Sequence, residues 1–431
     1  MRPSPSHIDA AAVGQLELRG LDGWLRRRLL DRLAALEHGR LVIDDAFGSA
    51  TLGRAERAFA DVRLKIFDPA TYWKLALRGS VGAGEAYADG LWGCDDLVGC
   101  VRLLVRNRSL LDSFEKGGAR LGGWLLRAWH ALNRNSHEGS RRNIAAHYDL
   151  GNEFFGLFLS PDLMYSSALW QGEDDTLEAA SARKLARICM RLRLQPTDRV
   201  IEIGSGWGGF ALYAARHHGC HVTTTTISRE QFRLARERVA QAGLADRITV
   251  LLEDYRNLRG AYDKLVSIEM VEAVGAEYLP LYMRKVGELL RSHGLALLQA
   301  ITIEDHRYQQ ALHSVDFIKR HIFPGSFIPS VHALLAAKTA ASDLALIHLE
   351  DFGLSYARTL QAWRERFLKQ HRQLRAQGFT ERFIRAWEFY LAYCEGGFRE
   401  RAIGVAQLLL ARPGWRPASA LSAAHPREAL A

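Results

Sequence analysis

Val200-Ile-Glu-Ile-Gly-Ser-Gly-Trp-Gly-Gly-Phe210 is more informative about the fold than any other segment of the chain. It predicts a buried strand over 199–203, a turn carrying Gly204, Gly206, Gly208 and Gly209, and a helix that starts near Phe210. Glycines let a backbone bend sharply and come close to a ligand where a side chain would collide. The acid-x-Gly-x-Gly order is not the Gly-x-Gly-x-x-Gly of nicotinamide-binding turns, and no Gly-Lys-Ser/Thr follows to hold a nucleotide phosphate. Glu202 would repel a polyanion. An acid beside a bare backbone turn suits a cationic, amino-acid-like ligand, and S-adenosylmethionine is one. A strand-turn-helix junction with glycines for packing alone is the plainer alternative.

The segments that follow favour the first reading. Apolar or β-branched runs at 221–227, 248–252, 264–268 and 295–302 predict four more strands, with helical patterns between them, notably 231–242 and 278–290. Strands alternating with helices imply a parallel, doubly wound sheet whose ligands lie at the carboxyl ends of the strands. Glu202, Glu253, Asp254, Glu269 and Glu272 all fall at such ends. Helical patterns over 314–322, 359–377 and 380–409 lie outside the alternation and predict a cap over the sheet.

Composition sets outer limits. At 431 residues and 48% hydrophobic, the chain is long enough for two or three domains with sizeable cores. No segment approaches the ~20 uninterrupted apolar residues of a membrane-spanning helix, and Met1-Arg-Pro-Ser-Pro-Ser lacks an apolar signal core. The five cysteines (Cys94, Cys100, Cys189, Cys220, Cys394) form no close-spaced metal pair, which predicts free thiols, no metal site and a cytoplasmic protein.

The net charge of +9 is unevenly spread. Between Arg102 and Arg142 there are nine basic residues against three acidic ones, interleaved with Trp124, Trp129 and several leucines. Two readings stay open for an amphipathic helix over 124–133: a helix lying in an anionic lipid interface, or one docked between domains with its arginines solvated. The stretch is too apolar for an arm that tracks nucleic-acid phosphates. The chain thus divides into an α+β accessory domain (1–107) with a turn-rich aromatic junction at 82–92, a basic connector (108–142), a catalytic domain (143–412) and a tail (413–431).

Further motifs carry a resemblance. They are His147-Tyr-Asp-Leu-Gly-Asn-Glu-Phe-Phe155, Tyr165-Ser-Ser-Ala-Leu-Trp170, Thr226-Ile-Ser-Arg-Glu-Gln231, Ser267-Ile-Glu-Met-Val-Glu-Ala-Val-Gly275, Phe352-Gly-Leu-Ser-Tyr356 and Tyr393-Cys-Glu-Gly-Gly-Phe-Arg399. With the glycine turn, these resemble the cyclopropane-fatty-acyl-phospholipid synthase family, which also includes mycolic acid methyltransferases. The resemblance runs from about residue 143 to 410, and the 82–92 stretch is similar to the N-terminal domain of the bacterial lipid synthases. It implies a class I S-adenosylmethionine-dependent methyltransferase fold with a helical cap. The implied cofactor contacts are Tyr165, Ser166, Glu202, Gly204, Gly206, Thr226, Ser228 and Gln231. Gln231 would offer a donor and an acceptor to the ribose diol, and Asp254, beside Glu253, would accept from the adenine amino group.

The implied reaction is methyl transfer to the cis double bond of an unsaturated acyl chain in an anionic membrane phospholipid, by a peripheral protein, with a homodimer as one expected state. Attack on the methyl leaves a carbocation, so the pocket must be dry and aromatic. A base then takes a proton, and a cyclopropane is the expected product. A methyl- or methylene-branched chain by the same first step is the alternative, and a lipid-binding or regulatory protein on an inactive fold is a second. In the family the base is bicarbonate, bound by a glutamate, a histidine, a tyrosine and backbone groups. Glu272 and Tyr356 match the glutamate and the tyrosine, and Cys394 matches a nearby cysteine. Two positions depart: Ser167 stands where the family has cysteine, and Gln299 where it has histidine. Gln299 can donate to an oxyanion but cannot carry a proton. His306, His313 and His321 are candidates for a displaced histidine, and Glu269 is an added carboxylate able to raise a neighbour's pKa. Bicarbonate is expected to remain the base, with direct proton transfer to Glu272 or Glu269 as the competing reading.

Overall fold

The computed structural model describes residues 20–56, 59–110 and 150–417. Two sheets organise them. The larger has seven strands in the order β10-β11-β9-β8-β5-β6-β7: β5 Arg199–Ile203, β6 His221–Thr226, β7 Ile248–Leu252, β8 Tyr262–Ile268, β9 Leu290–Ile303, β10 Ala345–Asp351 and β11 Ile403–Ala411. β5 through β9 pair in parallel, and β11 runs antiparallel to both β9 and β10. The chain order reverses between β5 and β8, which puts the glycine turn at the switch point where such sheets open a crevice. This is a class I methyltransferase sheet. β5, β8 and β9 are buried almost throughout, as expected of strands covered on both faces.

The five anticipated strands are present, β5 and β7 over the anticipated residues. Two strands were not anticipated. The 380–409 pattern is a helix only over Glu381–Arg399; the chain then turns at Arg401 (φ 55°) and enters β11. Its apolar run Ile403-Gly-Val-Ala-Gln-Leu-Leu-Leu-Ala411 has the length of a strand but no breaker ahead of it, and periodicity alone does not separate a buried strand from a buried helix. β10 is a half-exposed edge strand. The 359–377 pattern is two helices, Gly353–Lys369 and His371–Ala376, and within 314–322 the helix is Phe317–His321.

The smaller sheet has the order β2-β1-β3-β4, built from β1 Arg40–Asp45, β2 Gly48–Gly53, β3 Val62–Ile66 and β4 Trp92–Cys94. Helices α1 (Leu21–Leu33), α2 (Ala70–Ala88) and α3 (Leu97–Arg106) pack with it. The expected turn-rich junction at 82–92 is instead helical as far as Ala88. Its glycines serve close packing: a Cβ on Gly84 would stand 2.3 Å from the Phe317 ring. That contact joins the two parts of the molecule. Tyr87 donates to Glu388, Arg385 donates to the Tyr87 and Trp92 carbonyls, and Arg102 and Arg106 both engage Glu400. The helix expected over 124–133, most of the basic connector and residues 418–431 of the tail lie outside the described residues.

Candidate active site

A cavity of about 1080 Å³ opens at the carboxyl ends of β5, β6, β7 and β8. Its floor is the glycine turn. The Gly204 and Ser205 amides donate to the Thr225 carbonyl at 3.1 and 2.8 Å, which pins the turn to the next strand. Gly204 and Gly206 have φ of 97° and 48°, and a Cβ on Gly206 would meet no protein atom within 4 Å. Protein packing therefore does not require that glycine, whereas a ligand lying on the turn would. Glu202 is buried behind it, accepts from the Thr224 hydroxyl at 2.6 Å, and is pushed up to about 8 by burial.

On the neighbouring strand ends, Ser228 caps its helix (Arg229–Gln241) by accepting from the Gln231 amide, and its own amide donates to Thr226 Oγ1. Thr226 Oγ1 donates to Gln231 Oε1 at 2.8 Å, so the carbonyl end of Gln231 is held and its amide nitrogen is the group left to meet a ligand. Glu253 lines the cavity and accepts from Asn257. Asp254 lines it too, but its carboxylate caps Arg256 and accepts from that guanidinium at 2.8 and 2.7 Å. The acceptor expected for adenine is thus already engaged in a buried ion pair. Tyr165 and Ser166 line the opposite side; the two hydroxyls of Tyr165 and Tyr390 are 2.8 Å apart, and Ser166 accepts from Lys184 at 2.8 Å.

Glu269, at the end of β8, is the centre of the remaining geometry. Its Oε1 accepts from the Ser167 backbone amide at 2.9 Å and from Gln299 Nε2 at 2.7 Å; its Oε2 accepts from the Tyr356 hydroxyl at 2.7 Å. Gln407 donates to Gln299 Oε1 at 2.9 Å and so fixes which end of that amide faces Glu269. Burial pushes the Glu269 carboxyl up, while these three donors and the nearby Lys184 ammonium hold it down in part. Glu269 also sits at φ 50°, a left-handed backbone that non-glycine residues seldom adopt and that tends to persist at functional sites. Ser167 contributes its amide, since its hydroxyl donates to the Ala168 carbonyl. Neither Ser167 nor Gln299 lines the cavity; both stand behind Glu269.

Glu272 lines the cavity with Oε1 accepting from the Ile301 amide at 2.5 Å and Oε2 buried without a partner. Burial, then the charge of Glu269, pushes it up to about 8, so it is held protonated at neutral pH. The two carboxyls, three residues apart, differ in their partners: Glu269 accepts three hydrogen bonds, whereas Glu272 accepts one and has an unpartnered oxygen. Cys394 lines the same space, its thiol pushed up by burial. Among the described residues no histidine lines the cavity, and His321 pairs with Glu85. Sequence reasoning offered Glu269 as a neighbour able to raise a pKa and, as the competing idea, as a direct proton acceptor alongside Glu272; it missed Lys184, a fully buried ammonium lowered to about 8 by desolvation. Aromatic faces close the walls, among them Tyr165, Phe323, Phe389, Tyr390, Tyr393 and Phe398.

Residues 135–408 match the family model described as mycolic acid cyclopropane synthetase. The chain is 36% identical to tuberculostearic acid methyltransferase of Mycobacterium tuberculosis over 416 residues, 94% of this chain and 95% of that protein. It is 36% identical to cyclopropane-fatty-acyl-phospholipid synthase of Escherichia coli over 355 residues, 82% of this chain and 88% of that one. Among solved structures, a cyclopropane synthase of Mycobacterium tuberculosis is 27% identical with a TM-score of 0.59, covering 63% of this chain and 98% of its own. A mycolic acid cyclopropane synthase complexed with SAH and CTAB gives 27% and 0.58 over the same shares.

Proposed function

We propose a reaction for a chain that belongs to the cyclopropane-fatty-acyl-phospholipid synthase and mycolic acid methyltransferase family. It is an S-adenosylmethionine-dependent methyltransferase acting on fatty acyl chains. The proposed substrate is the cis double bond of an unsaturated acyl chain of a membrane phospholipid, and the leading product is a cyclopropane. The observation that carries the chemistry is the Glu269 carboxylate, gripped by three donors at the inner end of a largely apolar, aromatic cavity.

The residues present fit the methyl donor. The bare turn at Gly204 and Gly206 would take its amino-acid part, Glu202 its positive charge, and Gln231 its ribose. When bound, S-adenosylmethionine supplies an electrophilic methyl group on a cationic sulfur. The alkene's electron pair would form the new carbon–carbon bond as the sulfur–methyl bond breaks and its pair stays on sulfur, leaving neutral S-adenosylhomocysteine and a positive charge on the adjacent chain carbon. The faces of Tyr165 and Phe398, among the other aromatic rings, stabilise that cation, and the dry walls exclude the water that would quench it. Glu269 then takes a proton. Loss from the transferred methyl lets its electron pair close the three-membered ring, and the proton ends on the carboxylate.

The expected bicarbonate does not fit this site. The Ser167 amide, Gln299 and Tyr356, which would hold it, already donate to Glu269. We assign the base to Glu269 itself, a tethered carboxylate where the family binds a free one. Its raised pKa makes it a stronger proton acceptor. Glu272, held neutral, keeps a second negative charge out of the site.

A branched chain by the same first step is the second reading. It is favoured by the near full-length similarity to a tuberculostearic acid methyltransferase and by the fixed direction of a tethered base, which need not face the new methyl. Incubation with S-adenosylmethionine and unsaturated phospholipid, followed by mass spectrometry and proton NMR of the acyl chains, tests both. Both products gain one CH2, but only the cyclopropane lacks an alkene; the branched chain keeps one, within the chain or as a methylene branch. No mass gain on any unsaturated lipid would overturn the assignment.

A further inference from the structure

The cavity does not end at the catalytic domain. Past Cys394, Tyr393 and Phe389 it continues into the space between α1, α2 and the smaller sheet. There its walls are Leu25, Leu29, Leu33, Ile43, Leu64 and Ile66. The four-residue spacing of Leu25, Leu29 and Leu33 puts them in one row along α1, turned to this channel. The adjoining row, again at four-residue spacing, is Trp24, Arg28 and Arg32, and it lines the same cavity at its outer end.

That outer end is open and amphipathic. Leu21 and Trp24 on α1 are 55% and 47% exposed, and Trp73 and Leu77 on α2 are 37% and 57% exposed. Trp73 Nε1 donates to Asp22 Oδ1 at 2.8 Å, tying the two helices together at the rim. The Arg28 guanidinium lies 5.1 Å from the centre of the Trp24 ring, and both Arg28 and Arg32 are exposed at the mouth. α2 is broken just inside, at Gly79 (φ 54°, ψ −129°), where its wall bends around the cavity. Tryptophan and leucine beside arginine suit the boundary between lipid headgroups and acyl chains. A guanidinium pair suits a phosphate.

We propose that this end is the portal for the lipid: the α1–α2 rim seats in an anionic bilayer, Arg28 and Arg32 hold the headgroup phosphate, and the leucine row of α1 leads one acyl chain inward to Glu269. The inner end rests on the methyl-transfer reading, whereas the outer end rests on the rim alone. The commitment is to a phospholipid in a membrane, because a chain presented by a soluble carrier has no use for an exposed tryptophan and leucine rim.

The test uses the full chain, vesicles of unsaturated phosphatidylglycerol or phosphatidylcholine, and calorimetry of S-adenosylmethionine binding as the folding control. R28Q/R32Q should bind phosphatidylglycerol vesicles roughly 30-fold more weakly, each arginine near such a surface being worth about fivefold. Its KM on those vesicles should rise with little change in kcat. R28K/R32K should keep most of the binding, and W24S/L77S should weaken binding to both vesicle types. Wild-type binding and KM in R28Q/R32Q would overturn the portal, as would methylation of a carrier-bound acyl thioester in preference to vesicles. If the wild type binds vesicles through Arg28 and Arg32 yet methylates no lipid, the functional reading fails and the portal stands.

Discussion

Replacing Glu269 separates a resident base from a bound one. In E269Q the amide can still accept from the Ser167 amide and Gln299 through one oxygen, but its nitrogen then faces the Tyr356 hydroxyl and cannot take a proton. General-base steps contribute typically ~10²–10⁴-fold, so turnover should fall by that factor. E269G removes the side chain and relieves a left-handed backbone (φ 50°) that costs an L-residue about 1–2 kcal/mol. That gain is offset by the roughly 0.5–1 kcal/mol of extra chain entropy that glycine brings. The Ser167 amide, Gln299 and Tyr356 are left around a space shaped for a small oxyanion. Added bicarbonate should therefore restore turnover to E269G and raise its Tm, since a ligand that binds only the folded state stabilises it. It should do neither to the wild type. The assay is methyl incorporation into unsaturated lipid in carbon-dioxide-free buffer, with and without bicarbonate. Wild-type turnover by E269Q without bicarbonate would show that Glu269 is not the base.

Three further outcomes follow from the site. Glu272 is held protonated up to about pH 8, so E272Q should keep most of its activity at pH 7; the raised value also means that the carboxyl's contribution to stability is full below the ordinary carboxylic range and is lost as pH rises toward 8, and urea titrations across that window should show a flatter pH dependence in E272Q. Glu202, pushed up to about 8, is likewise protonated at neutral pH, and a cationic ligand lowers its pKa, so calorimetry in two buffers of different ionisation enthalpy should detect proton release on S-adenosylmethionine binding near pH 7, absent in E202Q. Gly206→Val places a branched side chain on the turn where no protein atom lies within 4 Å, and at φ 48°, so it should abolish binding of S-adenosylmethionine in the same calorimeter.

Much of the sheet was legible because its central strands are apolar runs ended by acids and glycines. β10 and β11 escaped for opposite reasons. β10 alternates weakly because it is an edge, and β11 follows a helix so closely that the two read as one pattern. Gly82 and Gly84 read as a turn because a glycine for close packing and a glycine for bending look alike in sequence. The turn, Thr226 and Gln231 were readable as a cofactor site because they are local. Glu269 was not readable as the centre: its donors come from residues 167, 299 and 356, and neither that convergence nor a positive φ is written in the residues around it. The loss of the family's histidine at Gln299 and the gain of Glu269 were each visible. Only their 2.7 Å contact makes them one change.

The most direct test of a resident carboxylate is the wild-type enzyme itself, assayed on unsaturated phospholipid in buffer stripped of carbon dioxide, with acyl products read by mass spectrometry and NMR. Full methyl transfer is expected, a gain of one CH2 per modified chain, at a rate that added bicarbonate leaves unchanged. A rate that collapses on stripping and returns with bicarbonate would contradict it, because the anion would then be reaching the donors here assigned to Glu269.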